Sequence, residues 1–102
     1  MSDFKALELN TIRWAAERQI LKYASSQAQL LKTMSELGEL ADAILKKDEH
    51  KIKDGIGDVL VTLIIVAELE GTHLLECLHH AYEEIKDRKG YLNEHGAFIK
   101  DG

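Results

Sequence analysis

Not one of the 102 residues is proline, and apolar residues recur at three- and four-residue intervals along most of the chain. That period gathers them on one face of a helix, and without proline each run can continue unbroken. The two features together predict an all-α protein. At this length one hydrophobic core is the limit, so residues 1–102 are expected to form a single domain whose active site lies between helices or between subunits.

Four helical segments follow from the pattern. The first, about residues 4–23, carries Leu7, Ile12, Ala15, Ala16, Ile20 and Tyr23 as its apolar stripe and ends before Ser25-Ser26. The second, 27–47, repeats Leu30, Leu31, Met34, Leu37, Leu40, Ala41, Ile44 and Leu45, with Lys46-Lys47 suited to a helix C-terminus. Asp48-Glu49-His50 reads as a polar link to the third, 51–70. Gly71 ends that segment, Thr72 is the expected N-cap of the fourth, 73–89, and Gly90 closes it. The remainder, 91–102, has no sustained period and reads as an arm that folds over something. Short connections favour a four-helix antiparallel bundle with that C-terminal arm.

Val59 to Val66 is apolar on nearly every side. Such a run also suits a β-strand, but both neighbours are long and helical in period. As a helix it offers more apolar surface than a lone small bundle can cover, which predicts a homo-oligomer, dimer or tetramer.

A net charge of −5 argues against nucleic acid as a partner, since non-specific binding depends on cations displacing counterions. The N-terminus lacks a signal-peptide pattern, and Val59 to Leu69 falls short of the roughly 20 apolar residues that cross a bilayer. With a single cysteine, Cys77, no intrachain disulfide can form. No membrane partner is expected, and the expected compartment is cytoplasmic.

The chemistry-bearing residues are acidic. Glu36 and Glu39 stand three apart on the second segment, and Asp54 and Asp58 stand four apart on the third. Each pair shares a helix face, so two packed antiparallel helices would join them into an oxygen-rich pocket suited to Mg²⁺. Glu-x-x-Glu alone is common on solvated faces. Here, however, the pair is interleaved with Leu37 and Leu40, and Gly38, Gly55 and Gly57 each cost a helix about 1 kcal/mol relative to alanine. Close helix approach, or room for a bulky ligand, would account for those glycines.

On these residues the chain resembles the MazG-like nucleotide pyrophosphohydrolases, particularly the short phage-type members. Met34-Ser35-Glu36-Leu37-Gly38-Glu39-Leu40-Ala41 is similar to the first half of the family signature, and Ile56-Gly57-Asp58-Val59-Leu60 to the second. Tyr82 to Tyr91 and Gly96 to Lys100 resemble the phage-type ending. One position departs: the signature's acid three residues before the aspartate is Gly55 here, with Asp54 as the nearest carboxylate. The resemblance implies hydrolysis of a nucleoside triphosphate to monophosphate and pyrophosphate in nucleotide-pool housecleaning. It implies Mg²⁺, or Mn²⁺, held by Glu36, Glu39, Asp54 and Asp58, with Glu36, Glu39 and Asp58 as catalytic residues and Glu39 a candidate to take the proton of the attacking water.

Lys86 and Arg88 suit a helix C-terminus on their own; the resemblance turns them towards the triphosphate. Trp14 suits either the core or stacking on a nucleobase, and Arg18 lies one turn further along. Glu76-x-x-His79 is one half of a di-iron carboxylate motif whose second half is missing. Cys77 has no evident activating partner. The competing functional class is a non-enzymatic helical oligomerisation or adaptor module, which the Gly55 departure allows.

Overall fold

The computed structural model describes Asp3 to Asp101; Met1, Ser2 and Gly102 lie outside the described residues, so the reading of the extreme N-terminus and of Gly102 rests on sequence alone. The chain is mostly helical, in the order α1 (Phe4–Glu17), α2 (Ile20–Tyr23), α3 (Ser26–Leu45), α4 (Glu49–Leu69) and α5 (Leu74–Ile85), followed by strands β1 (Gly90–Leu92) and β2 (Phe98–Lys100). The all-α class is correct, whereas a count of four helices is not.

The expected first helix is two. Arg18 caps α1, and Gln19 adopts a left-handed backbone with φ 65°, which a side chain tolerates at a cost of roughly 1–2 kcal/mol. The break turns the single-turn α2 onto α4 and half-buries Ile20 and Leu21. Neither glycine nor proline marks the spot, which is why the periodicity ran through it.

Helices α3 and α4 form the central hairpin and the largest contact in the molecule. Ser25 caps α3 by accepting from the Ala28 amide, and Asp48, within the expected polar link, caps α4 by accepting from Lys51. Thr33 and Thr62 meet inside the pair at 2.9 Å, with the Thr62 hydroxyl donating onward to the Val59 carbonyl, so neither buried hydroxyl is orphaned. At the far end of the pair the Ser26 hydroxyl donates to the Glu70 carboxylate.

The core is small: Ala15, Ala43, Ile64, Ile65 and Ala67 are its buried apolar residues. Most of Val59 to Val66 finds cover within the chain, Leu60 being its exposed member. The larger uncovered apolar surface lies on α3, at Leu30, Leu31, Met34, Leu37, Ile44 and Leu45. The chain exposes 8016 Å², against about 5,800 Å² for a self-contained protein of 11.5 kDa. Its radius of gyration is 16.0 Å, against about 13 Å for a compact chain of this length.

Helix α5 is joined to the rest by few contacts, but one is specific. Thr72 is not its cap; His73 occupies that position and its side chain caps nothing. Instead, Glu8 reaches over from α1, 6% exposed, and accepts from the Leu75 amide at 2.9 Å. A carboxylate on the first-turn amides suits the positive end of the helix dipole. His73 hydrogen-bonds Glu68 of α4, and that bond and charge raise its pKa above the ordinary histidine value.

The C-terminal arm is a β-hairpin, with Gly90 opposite Lys100, Tyr91 opposite Ile99 and Leu92 opposite Phe98. Its loop is organised by Asn93, whose side-chain oxygen accepts from the amides of His95 and Ala97, and by Gly96 at φ +81°. Gly90 starts β1 rather than closing α5. A Cβ there would run into the Ile99 carbonyl and stand 2.6 Å from the Phe98 ring, so only glycine fits.

Candidate active site

A cleft of ≈ 310 Å³ opens where α3 and α4 approach their connecting turn. Glu39 and Asp42 enter it from α3 and Lys46 from its C-cap, and Lys51, Asp54, Gly55 and Asp58 from α4, with Asp48 between them. Helical spacing explains the grouping: 39, 42 and 46 share one face of α3, and 51, 54, 55 and 58 one face of α4. Gly55 is buried at the floor, where an added Cβ would stand 3.2 Å from Leu40 Cδ1. It permits close approach of the two helices. Gly38 and Gly57 instead face open space, so close approach explains only one of the three glycines.

The structure therefore brings Glu39, Asp54 and Asp58 together, and adds Asp42. Asp42 was legible as one more three-residue step beyond Glu39. Glu36 is not on the cleft wall; its half-buried side chain turns to Lys32 of the same helix, with Nζ 3.7 Å from Oε1. Around the cleft, Asp54 pairs with His50 at 3.3 Å and Asp42 with Lys46 at 3.0 Å. Among the described residues, no three acidic, histidine or cysteine side chains converge into a ready-made metal cage. The lining donors are carboxylate oxygens without histidine or thiolate, which fits Mg²⁺, an ion that keeps waters and takes substrate phosphates as ligands.

Asp58 also lines a second groove of ≈ 440 Å³, between α1 and α4, together with Leu7, Asn10, Thr11, Trp14 and Val61. Trp14 is 42% exposed there. Arg18 lies over its ring at 4.8 Å and donates to the Trp14 carbonyl at 3.2 Å. The acidic cleft and the aromatic groove thus share one lining residue, Asp58.

Lys86 and Arg88 stand elsewhere. Lys86 pairs with Glu83 at 2.7 Å, and Arg88 joins Lys89, Lys100, Glu84, Asp87 and Asp101 at the base of the hairpin. Helix α5 packs on α1 and α4 rather than on α3. The cations beside the acids are Lys46 and Lys51, which the sequence reading did not single out as ligand-binding.

A family model of the MazG nucleotide pyrophosphohydrolase domain matches residues 24–91. The chain belongs to the MazG family. The matched stretch contains every acid of the cleft as well as Lys86 and Arg88, while Trp14 and Arg18 precede it. The family is described as one of nucleotide pyrophosphohydrolase domains. An uncharacterized 18.2 kDa protein from the rep-hol intergenic region of Haemophilus phage HP1 is 37% identical over 68 residues. Those residues are 67% of this chain but 42% of the phage protein, so the chain spans about two fifths of that relative. No solved structure matches. None of the helices among the described residues is long and apolar enough to cross a membrane.

Proposed function

We propose that this MazG chain hydrolyses a nucleoside triphosphate to the monophosphate and pyrophosphate, with the triphosphate in the acidic cleft and the base in the Trp14 groove. The observation that carries the reading is Asp58, which lines both spaces. A nucleotide is a ligand of two chemistries, a polyanion joined to a flat apolar ring. An acidic wall repels a bare polyanion, so the cleft takes a triphosphate only with its cations.

Glu39, Asp54 and Asp58, with Asp42 beside them, would hold Mg²⁺ or Mn²⁺. When bound, such ions activate water and neutralise phosphate charge. Glu39, exposed and on the cleft wall, would take the proton of the attacking water. Lys46 and Lys51 supply positive charge at the rim. Trp14, held by Arg18 on one side, offers its ring to the base. Because the chain exposes some 2,200 Å² more than its mass requires, the working form is a homo-oligomer, with the leucines of α3 as one contact surface.

A panel of canonical and modified (d)NTPs, assayed for pyrophosphate release with Mg²⁺ and Mn²⁺, tests the activity. Metal-dependent release that disappears in Glu39→Ala and Asp58→Asn supports it; no turnover on any of them, or full activity in both variants, overturns it. The second reading, a non-catalytic oligomerisation module, is favoured by Gly55 standing where the signature has an acid, and it predicts no release.

A further inference from the structure

Helix α1 is the common wall of two hollows. Leu7, Asn10, Thr11 and Trp14, spaced by three and four, form the face that bounds the Trp14 groove against Asp58 and Val61 of α4. Lys5 and Glu8 form the neighbouring face, which borders a second hollow of ≈ 440 Å³ closed on its other side by Leu75, Glu76 and His79 of α5. On that side α1 is backed by space rather than by packed side chains.

Little holds the first half of α1 in place. The helix buries two residues, Glu8 and Ala15. Ala15 lies beside Trp14 and secures the second half, whereas in the first half Phe4, Leu7 and Leu9 are exposed. Thr11 donates to the Leu7 carbonyl and Arg18 to the Trp14 carbonyl, both within or at the end of α1. Among the described residues, the Glu8 carboxylate accepting from the Leu75 amide at 2.9 Å is the one side-chain hydrogen bond that ties α1 to another helix.

Leu75 is in turn a fixed point in the frame of α4. The turn between α4 and α5 is short, the Glu70, Gly71 and Thr72 amides bond back to carbonyls of α4, and the His73 ring bonds Glu68. The grip of Glu8 therefore sets how far the first half of α1 stands from α4, the two walls of the groove. We propose that Glu8 is a positioning residue for the base: by holding the Leu75 amide it keeps Leu7, Asn10 and Thr11 at the distance from α4 at which a base fits beside Trp14. This role rests on the reading of the groove as the base site. With the grip lost, α1 is docked for a smaller fraction of the time, and apparent affinity for the base falls with that fraction. The acidic cleft, built on α3 and α4, keeps its shape.

Three substitutions at one position test the role. Glu8→Ala removes the grip, Glu8→Gln keeps an oxygen on the Leu75 amide, and Glu8→Asp keeps the charge but shortens the reach by one methylene. A cap of this kind is worth about a fivefold change in an equilibrium constant. Glu8→Ala and Glu8→Asp should therefore raise KM for the best substrate of the (d)NTP panel about two- to fivefold with kcat retained, and Glu8→Gln should restore it. Inhibition by Mg²⁺-tripolyphosphate, which has no base, should be the same in all four proteins. In the nucleotide-free protein, amide exchange from Leu7 to Thr11 should quicken in Glu8→Ala while α3 and α4 stay protected. A KM unmoved by Glu8→Ala, an equal loss of tripolyphosphate inhibition, a Glu8→Gln variant as weak as Glu8→Ala, or unchanged exchange in α1 overturns the positioning role alone. A wild type that turns over nothing in the panel overturns the reading of the groove, and this role with it.

Discussion

Gly55 of α4 lies against Leu40 of α3, so closely that a Cβ at position 55 would stand 3.2 Å from Leu40 Cδ1 and 3.4 Å from its Cα. This contact sets the spacing of the two helices that carry the acids. Gly55→Leu should therefore overpack the pair and lower stability by about 1–3 kcal/mol. Gly57, two residues on, meets nothing within 4 Å, so Gly57→Ala should gain about 0.4–1 kcal/mol. Thermal melts of the two variants read the difference in sign. If Gly57 is kept to leave room for a ligand, its alanine variant will be more stable and bind nucleotide less well.

Glu8 joins α5 to the body of the molecule through one buried acceptor on the Leu75 amide. Removing a cap of this kind costs about 1 kcal/mol. Glu8→Ala should lower stability by that order. Amide hydrogen exchange should rise first at Leu75 and along α5, while α3 and α4 keep their protection.

His73 makes the same joint sensitive to pH. Its pKa is raised, first by the hydrogen bond to Glu68 and then by the Glu68 charge, with Glu8 and Glu76 adding to the effect and partial desolvation opposing it. Lys5 and His79 also face this site. A raised folded-state value means that the protonated ring favours the folded form. That stabilisation is complete below the ordinary value of 6.5 and is lost as pH rises through the raised value. Docking of α5 should loosen over that interval, and His73→Gln should flatten the dependence. A ring-proton titration by NMR locates the midpoint, and a midpoint at or below 6.5 would contradict the ion pair.

Much of this was legible in the sequence because it is periodic. The α3 and α4 runs and the face shared by Asp54 and Asp58 follow from three- and four-residue spacing, and the ending at Gly71 from glycine's tolerance of a positive φ. What was not legible depends on the third dimension. The break at Gln19 is a backbone strain set by α2 turning onto α4. The cap on α5 comes from Glu8, 67 residues away from Leu75. Glu36 shares a face with Glu39 but also stands four residues from Lys32, which it faces. The hairpin did have a local signal, Asn93 and Gly96 between two pairs of β-favouring residues, which the search for helical period passed over.

Trp14 is the single tryptophan, so intrinsic fluorescence reports on the groove directly. Titrating a non-hydrolysable nucleoside triphosphate should quench it, and the same triphosphate chain without a base should not. Base stacking is worth about 1–3 kcal/mol, so Trp14→Ala should raise KM by roughly 5- to 150-fold with a smaller change in kcat. Glu39→Ala should act mainly on kcat, lowering it by about 10²- to 10⁴-fold as expected for loss of a general base, and should raise the metal concentration required, with the fluorescence quench persisting at saturating Mg²⁺. Asp58 borders both spaces, so Asp58→Asn should impair both parameters. Equal effects of all three substitutions on KM alone would mean that the cleft and the groove bind the nucleotide but that the proton is taken elsewhere.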